Sequence, residues 1–338
     1  MTTYTCGINR RIAVAALRRL ASGDLETLAD DARCDASHPF GRLTGAAARD
    51  PWNALRRAFP DLERRDAIVL AGRNQPDDRV GAPVADEMVA CVGSYVGTFR
   101  EGFCGIAPTR GVARLDYGEG HAFDAHGRIV RSWLVWDLAG LMIATGQWPM
   151  AAPLGAPGHW PAPATQDGMR SNADGAEDGG SLRRVLAMHD ALHAYDGASI
   201  DSMDMSAWAD GFLYWAAGGI GACKGLDGFR AHHQLPFLRA FPTRIGAGHF
   251  VRLSDGPYAV TGGDVRLDHS GDEYMGLAPS GRRVMFRVMD FYRFDAEGRI
   301  AENWLPNDTL GLMHDLGVDV LARLRHRQGA PRRDVKDA

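Results

Sequence analysis

The pattern of apolar and polar residues between Phe291 and Leu316 predicts a strand, a turn, a second strand and a helix. Phe291–Phe294 is a short aromatic run typical of strands, and the turn residues that end at Gly298 follow it. Arg299–Trp304 predicts the second strand, and Thr309–Leu316 predicts one or two helical turns.

Alternation along the second strand places Ile300, Glu302 and Trp304 on one side of a sheet. If the chain stays extended past Pro306, Asp308 lies on the same apolar side. Asp308 then has two interpretations that one sequence does not separate. It caps the helix that starts at Thr309, or it is an acid/base group in a pocket.

The same pattern occurs twice, at a constant offset of 171 residues. HAFDAHGRIVRSWLVWDLAGLM begins at His121 and matches YRFDAEGRIAENWLPNDTLGLM, which begins at Tyr292, so that Asp137 corresponds to Asp308. Identities of this extent without a gap indicate an internal duplication. A period of this length predicts two tandem domains rather than a solenoid of short repeats.

Each copy places helices before strands. The predicted helices are Asn9–Leu20, Asp24–Asp30, Trp52–Phe59, Leu182–Tyr195 and Leu226–Ala240. The further predicted strands are Ala67–Leu70, Met88–Cys91, Tyr95–Phe99, Ala113–Tyr117, His249–Leu253, Tyr258–Asp264 and Arg283–Phe294. Helices followed by strands, without alternation of the two, predict an α+β fold.

The stretch 149–180 is dense in Pro, Ala, Gly and Asp and has no periodicity, which is typical of a linker. We therefore expect a first domain at 1–150, a linker at 151–180 that is poorly ordered near Gly155–Gly180 and mobile in its second half, a second domain at 181–330 and a tail at 331–338.

The composition excludes several classes of protein. The 338 residues carry a formal net charge of −4, which gives no basic footprint for nucleic acid or an anionic membrane. No apolar run is long enough to span a bilayer, and the start lacks a leader-like apolar region. Five scattered cysteines argue against a disulfide framework or a zinc cage. We expect a soluble cytoplasmic protein.

Several motifs carry a resemblance to a known family. They are AFPDL at Ala58–Leu62, GT-x-x-x-G-x-x-G-x-x-PT at Gly97–Thr109, H-x-G-x-x-x-x-G-x-x-PSG at His269–Gly281, and D-x-x-G-R-I-x-x-x-W-x-x-x-D at Asp124–Asp137 and Asp295–Asp308. With them the chain resembles two SnoaL-like polyketide cyclase domains in tandem, within the nuclear transport factor two-like superfamily. The resemblance covers nearly everything outside the linker.

The resemblance implies two cone-shaped α+β domains, each a curved mixed or antiparallel sheet that N-terminal helices cover around an apolar pocket. Cyclases of this family close rings by intramolecular aldol condensation without a metal or an organic cofactor. Their acid/base Asp occupies the last position of W-x-x-x-D, here Asp308 and Asp137. Burial in an apolar cavity would raise the pKa of such a carboxyl toward the working pH.

The two copies differ around that carboxyl. The second has His269 where the family often has a His, and Asp290 lies in the middle of an apolar strand, where a charge is costly unless it is paired or functional. At the repeat offset the first copy has Glu119, and His121 stands opposite Tyr292. We therefore expect the better-preserved site in the second domain and a divergent or structural first domain.

The leading hypothesis is a cyclase or isomerase that acts on a small hydrophobic molecule with a carbonyl group. Asp308 would be the acid/base, with His269 and Asp290 orienting or polarising the carbonyl. The expected cavity walls are Trp304, Trp215, Phe286 and Tyr292, with His233 facing the pocket. Glu119 and His121 are the candidate substrate-binding residues of the first domain. The alternatives are a non-catalytic binding or assembly protein on the same fold, and a hydrolase that uses carboxylates. Whether the chain is an enzyme is left open.

Two further expectations concern partners and metals. The two cones should pack through their sheets as an intrachain pseudo-dimer, and a homodimer of the whole chain is possible. His189 and His193 imitate the HExxH zinc helix, but no third ligand is evident, so surface or half-buried helix histidines are the favoured interpretation.

Overall fold

A computed structural model describes residues 10–80, 87–169, 180–193 and 199–329 of the chain. They contain two six-stranded sheets, one in each half of the chain. In each sheet one pair of neighbouring strands is parallel and the other pairs are antiparallel. The predicted α+β class with two mixed sheets is confirmed. The domain boundaries themselves stay predictions.

The first half of the chain forms one sheet with three helices. Its elements are α1 (Arg10–Ser22), β1 (Leu28–Ala36), β2 (Gly41–Thr44), α2 (Asp50–Ala58), β3 (Glu63–Arg73), β4 (Glu87–Thr98), β5 (Val112–Phe123), β6 (Ile129–Trp136) and α3 (Leu138–Ala144). The helix expected at Asp24–Asp30 is wrong, because only Leu25–Thr27 forms a helical turn and β1 begins at Leu28. The strand order of this sheet is β2-β1-β6-β5-β4-β3, with β1 and β6 parallel. The pairing of β1 with β6 outweighs the local preference of these residues for a helix.

The second half repeats the order. Its elements are α4 (Gly180–His193), β7 (Trp208–Ala216), β8 (Ala222–Lys224), α5 (Gly225–Phe229), α6 (Leu235–Ala240), β9 (Thr243–Asp255), β10 (Tyr258–Asp268), β11 (Arg283–Phe294), β12 (Ile300–Leu305), α7 (Thr309–Asp315) and α8 (Val320–Arg327). The strand order of this sheet is β8-β7-β12-β11-β10-β9, with β7 and β12 parallel. A π-helical turn, Arg230–Gln234, joins α5 to α6. Such turns widen a helix locally and often occur at functional sites.

The two halves contact each other through one face of each sheet. Ile68, Leu70 and Trp133 of the first half belong to the same buried apolar cluster as Phe250 and Met289 of the second. The rings of Trp133 and Phe250 stack with centroids 5.0 Å apart. One face of each sheet is therefore buried between the domains, and the other face is left for the interior of its own domain.

The expected disorder from residue 155 onward is wrong for the part of the linker that the structure describes. Trp160 is buried, and its indole N–H donates to the Ala216 carbonyl over 3.2 Å. The Trp304 indole N–H donates to the Pro161 carbonyl over 3.0 Å. These bonds hold the segment along the junction between the sheets. Residues 170–179, where mobility was expected, lie outside the described residues.

No helix among the described residues is long and apolar enough to cross a membrane.

Candidate active site in the second domain

A cavity of about 520 Å³ lies in the second domain between its sheet and the helices α4, α5 and α6. Aromatic side chains form much of its wall, namely Trp208, Tyr214, Phe229, Phe237, Phe286 and Tyr292. The volume is in the range of small-molecule sites, which are typically apolar pockets with a few placed polar groups. The cavity therefore suits an apolar ligand, and its polar groups decide what chemistry is available.

Asp290 is the buried acid of this cavity. It lies at the middle of β11, and the Asn303 side-chain amide donates to its Oδ1 over 3.2 Å. Burial raises the pKa of Asp290 to about 7, although hydrogen bonds from Asn303 and Tyr292 act in the opposite direction. At neutral pH the carboxyl is thus close to half protonated, which suits a group that must both accept and return a proton.

The Tyr292 hydroxyl connects Asp290 to the roof of the cavity. Tyr292 follows Asp290 by two residues on β11, so both side chains face the same side of the sheet. Its hydroxyl is hydrogen-bonded to Asp290 and Thr261, and lies 3.1 Å from Nε2 of His189 on α4. Four polar side chains with defined partners, those of Asp290, Asn303, Tyr292 and His189, therefore line one region of an otherwise aromatic cavity.

A second polar region lies beside Tyr214, which pairs with Asn303 across β7 and β12. The Tyr214 residue is 2% exposed, and its hydroxyl has no hydrogen-bond partner within the described residues. The ring of His233 packs over Tyr214 with centroids 4.8 Å apart. Burial lowers the pKa of His233 to about 4, so this imidazole is neutral at pH 7. A ligand that carries a hydrogen-bond acceptor could satisfy the buried hydroxyl.

The structure brings some of the predicted site residues together and separates others. Asp290, Phe286, Tyr292 and His233 all line the cavity. Trp304 and Trp215 instead belong to the apolar cluster between the two sheets. The expected face of β12 is therefore wrong: Asn303 and Leu305 line the cavity, whereas Trp304 points toward the first domain. Both faces of this strand are buried, so alternation alone does not identify the inner one.

Asp308 is not among the residues that line the cavity. Its Oδ1 accepts the backbone N–H of Gly311 over 2.9 Å at the start of α7, and its Oδ2 accepts the backbone N–H of His38 in the first domain over 3.0 Å. Burial raises the pKa of Asp308. The expected position beside Asp290 in a pocket is wrong, and the helix-cap interpretation describes the contacts that Asp308 makes.

Asp137 makes the mirror-image contacts in the first domain. Its Oδ1 accepts the Gly140 backbone N–H over 2.7 Å, and its Oδ2 accepts the Gly218 backbone N–H of the second domain over 2.8 Å. Burial raises the pKa of Asp137 to about 7. Each domain thus uses its W-x-x-x-D carboxyl to cap its own helix and bind the other domain, as in an isologous interface.

His269 also lies away from the cavity lining. It is fully buried just after β10, where its Nδ1 lies 3.3 Å from both the hydroxyl and the backbone nitrogen of Ser280. Its ring packs against Phe241 with centroids 5.1 Å apart. These contacts hold the connection between β10 and β11 to the end of α6.

Glu119 and His121 lie in a closed interior in the first domain. Glu119 is 0% exposed and accepts hydrogen bonds from Arg64 over 2.5 Å, from Tyr95 over 2.8 Å and from Trp136 over 2.8 Å. Burial alone would raise the pKa of Glu119, but Arg64 and His121 outweigh it and lower the pKa to about 2. This carboxylate is held permanently charged, which favours a structural role.

Sequence reasoning missed Asn303, and it interpreted His189 as a surface or half-buried helix histidine without placing it in the cavity. Asn303 could have been found as the one residue of β12 that pairs with Tyr292 across the antiparallel ladder. His189 could have been found as the histidine on α4 that shares a helix face with Leu186 and Leu192 of the cavity wall. Within the described part of the chain, no group of three or more His, Cys, Asp or Glu residues could hold a metal ion.

The second domain is similar to a known protein family. Residues 187–316 match the family model of SnoaL-like polyketide cyclase, so the resemblance seen in the sequence is confirmed for that stretch. Among curated proteins, none matches the sequence.

Solved structures with similarity include three from Streptomyces species. IdmH from Streptomyces antibioticus has 22% identity, covers 40% of this chain and 98% of its own, and has a TM-score of 0.32. TsrD from Streptomyces laurentii has 19% identity, with 40% and 96% covered and a TM-score of 0.32. AclR from Streptomyces galilaeus has 17% identity, with 40% and 82% covered and a TM-score of 0.33.

Proposed function

We propose that the second domain catalyses proton transfer of the cyclase or isomerase type on a small hydrophobic molecule that carries a carbonyl group, with Asp290 as the acid/base. The observation that carries the proposal is the position of Asp290, a carboxyl with a pKa of about 7 on the wall of a largely aromatic cavity. The match to the SnoaL-like polyketide cyclase model supports this class of reaction.

The chemistry needs only the side chains already described. The ionised Asp290 accepts a proton from the carbon next to the ligand carbonyl, and the electron pair moves onto the carbonyl oxygen. In a ring closure the resulting enolate carbon attacks a second carbonyl, and the new alkoxide takes the proton back from Asp290. Asn303 and Tyr292 hold the carboxyl in place. The Tyr214 hydroxyl, which has no hydrogen-bond partner in the part of the chain that the structure describes, is suited to donate to the enolate oxygen.

The first step can be tested without knowing the natural substrate. The probe is 2-acetylnaphthalene in D₂O, whose methyl protons exchange when a base removes them, and proton NMR follows the exchange. Asp290→Asn should reduce the exchange rate by about 10²- to 10⁴-fold, because positioned general bases contribute that much. The matched control is Asp308→Asn, which should exchange like the unaltered protein, since Asp308 does not line the cavity.

The pH dependence has a defined sign. Only ionised Asp290 removes a proton, so exchange should rise with pH and level off above pH 7, near the pKa of this carboxyl. Exchange that is equally fast in the Asp290→Asn variant would contradict the proposal. Binding of the probe without any exchange would identify the second domain as a binding protein instead.

A further inference from the structure

A segment of the first domain builds part of the cavity in the second. The chain that follows β3 crosses to β9, where the Gln75 backbone N–H donates to the Arg252 carbonyl over 3.0 Å. The Asn74 side chain donates to the Phe250 carbonyl over 3.1 Å and accepts from the Arg252 backbone N–H over 2.8 Å. The segment therefore covers the edge of the second sheet.

Glycine in β9 allows this close approach. Gly248 has a φ of +101°, a conformation that other residues rarely adopt. A Cβ atom at this position would lie 2.8 Å from Val80 and 2.9 Å from Arg79. Any larger residue at position 248 would push the segment away from the strand.

Asp77 fixes the tip of the segment. Its carboxylate, 4% exposed, accepts the backbone N–H of His249 over 2.9 Å and forms ion pairs with Arg79 and Arg252. Burial alone would raise the pKa of Asp77, but the bonds from Arg79 and His249 outweigh it and lower the pKa. The carboxylate is thus charged at neutral pH and orients the Arg79 guanidinium through Nε and Nη2.

Arg79 is left with capacity for a ligand. It lines the cavity, and its side chain is 45% exposed. With Nε and Nη2 on Asp77, its Nη1 makes no hydrogen bond in the described part of the chain. Arg244 and Arg252 also line the cavity, and Asp190 of α4 is an exposed acid in the same wall. Burial lowers the pKa of the neighbouring His249 to about 4, so it is neutral at pH 7.

From this arrangement we infer that Arg79 of the first domain binds a carboxylate, or a comparable anionic group, on the ligand that occupies the cavity of the second domain. The inference rests on the proposed function and adds the charge of the substrate to it. Arg79 is then a specificity-determining residue, because a planar guanidinium binds a carboxylate through directed, charge-assisted bonds. The first domain serves the site of the second by supplying this side chain.

The test uses two fluorescent probes of the same shape, anthracene-9-carboxylate and 9-anthracenemethanol, titrated into the full chain. The unaltered protein should bind the carboxylate about tenfold more tightly than the alcohol. Arg79→Met should reduce this ratio about tenfold and leave the affinity for the alcohol within about twofold. Arg79→Lys should keep most of the preference, since it keeps the charge. Arg100→Met is the matched control, because Arg100 is exposed in the same domain and does not line the cavity.

An unchanged ratio in Arg79→Met would overturn the inference, and so would an equal loss of affinity for both probes, which would indicate a purely steric wall. Failure of the unaltered protein to bind either probe would overturn it together with the proposed function. The exchange of 2-acetylnaphthalene distinguishes failure of this inference alone from failure of the proposed function. That probe is uncharged, so an unaltered protein that exchanges it but binds the two anthracene probes equally would overturn the inference and leave the proposed function standing.

Discussion

The two domains share a strand order and differ in what fills the interior. The strand ladders and the repeat offset identify equivalent positions in the two sheets. The first domain has the larger side chain at three of them, Arg64/Gly246, Tyr95/Val265 and Tyr117/Val288. A guanidinium and two phenol rings thus occupy the space that forms a cavity of about 520 Å³ in the second domain. Large side chains therefore close-pack the interior of the first domain at the positions where the second domain keeps a cavity.

The same difference decides the chemistry of the central carboxyl. Glu119 and Asp290 correspond at the repeat offset. Burial raises the pKa of both carboxyls, but Arg64 holds the pKa of Glu119 down to about 2. No cation of the described residues acts in this way on Asp290, and its pKa rises to about 7. Replacement of Arg64 by Gly246 in the second domain therefore both opens the cavity and frees its acid. A strand position alone does not make a carboxyl an acid/base.

The largest expected effect separates structure from chemistry at these two positions. Glu119→Gln should destabilise the chain by about 3 kcal/mol, because it removes one carboxylate from the buried Arg64. Asp290→Asn should leave the melting temperature unchanged or raise it, since it removes the cost of a buried acid. Thermal and urea unfolding of both variants measure this.

The effect of Glu119 has a pH window. A carboxyl whose pKa is lowered on folding stabilises the folded state above its unfolded pKa, and this stabilisation is lost as the pH falls toward the folded value of about 2. The difference between the unaltered chain and Glu119→Gln should therefore shrink below about pH 4. Equal stability of the two at pH 7 would show that the ion pair with Arg64 is not what holds the first domain closed.

The second prediction makes the second domain resemble the first. Val288→Tyr places in the cavity the ring that Tyr117 places in the first domain. Binding of 9-anthracenemethanol should weaken by at least about tenfold, since the ligand loses the space that it occupies. Fluorescence titration measures it. Val112→Tyr is the control, because Val112 is 77% exposed in the first domain, and it should bind the probe normally. Undiminished binding by Val288→Tyr would place the probe elsewhere.

The sequence predicted the duplication, the fold class and four cavity residues, because these depend on identities between the two copies and on the periodicity of apolar residues. Asp290 was recognisable as a charge in an apolar strand, and Tyr292 shares its face. The inner face of β12 was not predictable from alternation, since Trp304 on the other face is buried as well. The crossing of Asp77 and Arg79 to β9 depends on how two domains pack, which no local pattern encodes.

One feature is the same in both domains, namely the reciprocal contacts of Asp137 and Asp308. Each carboxyl caps its own helix and accepts a backbone N–H from the opposite domain. The rings of His38 and His314 stack beside the second contact with centroids 4.6 Å apart. The motif that resembles a catalytic signature thus joins the domains, and its two copies should behave alike when altered.

The smallest expected effect tests whether the contact of Asp308 with the first domain contributes to stability. Asp308→Ala should destabilise the chain by about 1–2 kcal/mol, because both the Gly311 and His38 N–H groups lose their acceptor. Asp319→Ala is the control, since Asp319 caps α8 through the Ala322 N–H and makes no bond to the first domain among the described residues; its ion pair with Arg325, at 3.9 Å, is exposed, so the substitution should cost about 1 kcal/mol. The additional loss of stability in Asp308→Ala measures the contribution of the bond between the domains.

The stability of Asp308→Asn should fall between that of the unaltered chain and that of Asp308→Ala, since Asn keeps one oxygen for Gly311 but turns an N–H₂ group toward His38. If urea unfolding shows Asp308→Ala to be no costlier than Asp319→Ala, the bond to His38 contributes nothing, and Asp308 is only a helix cap.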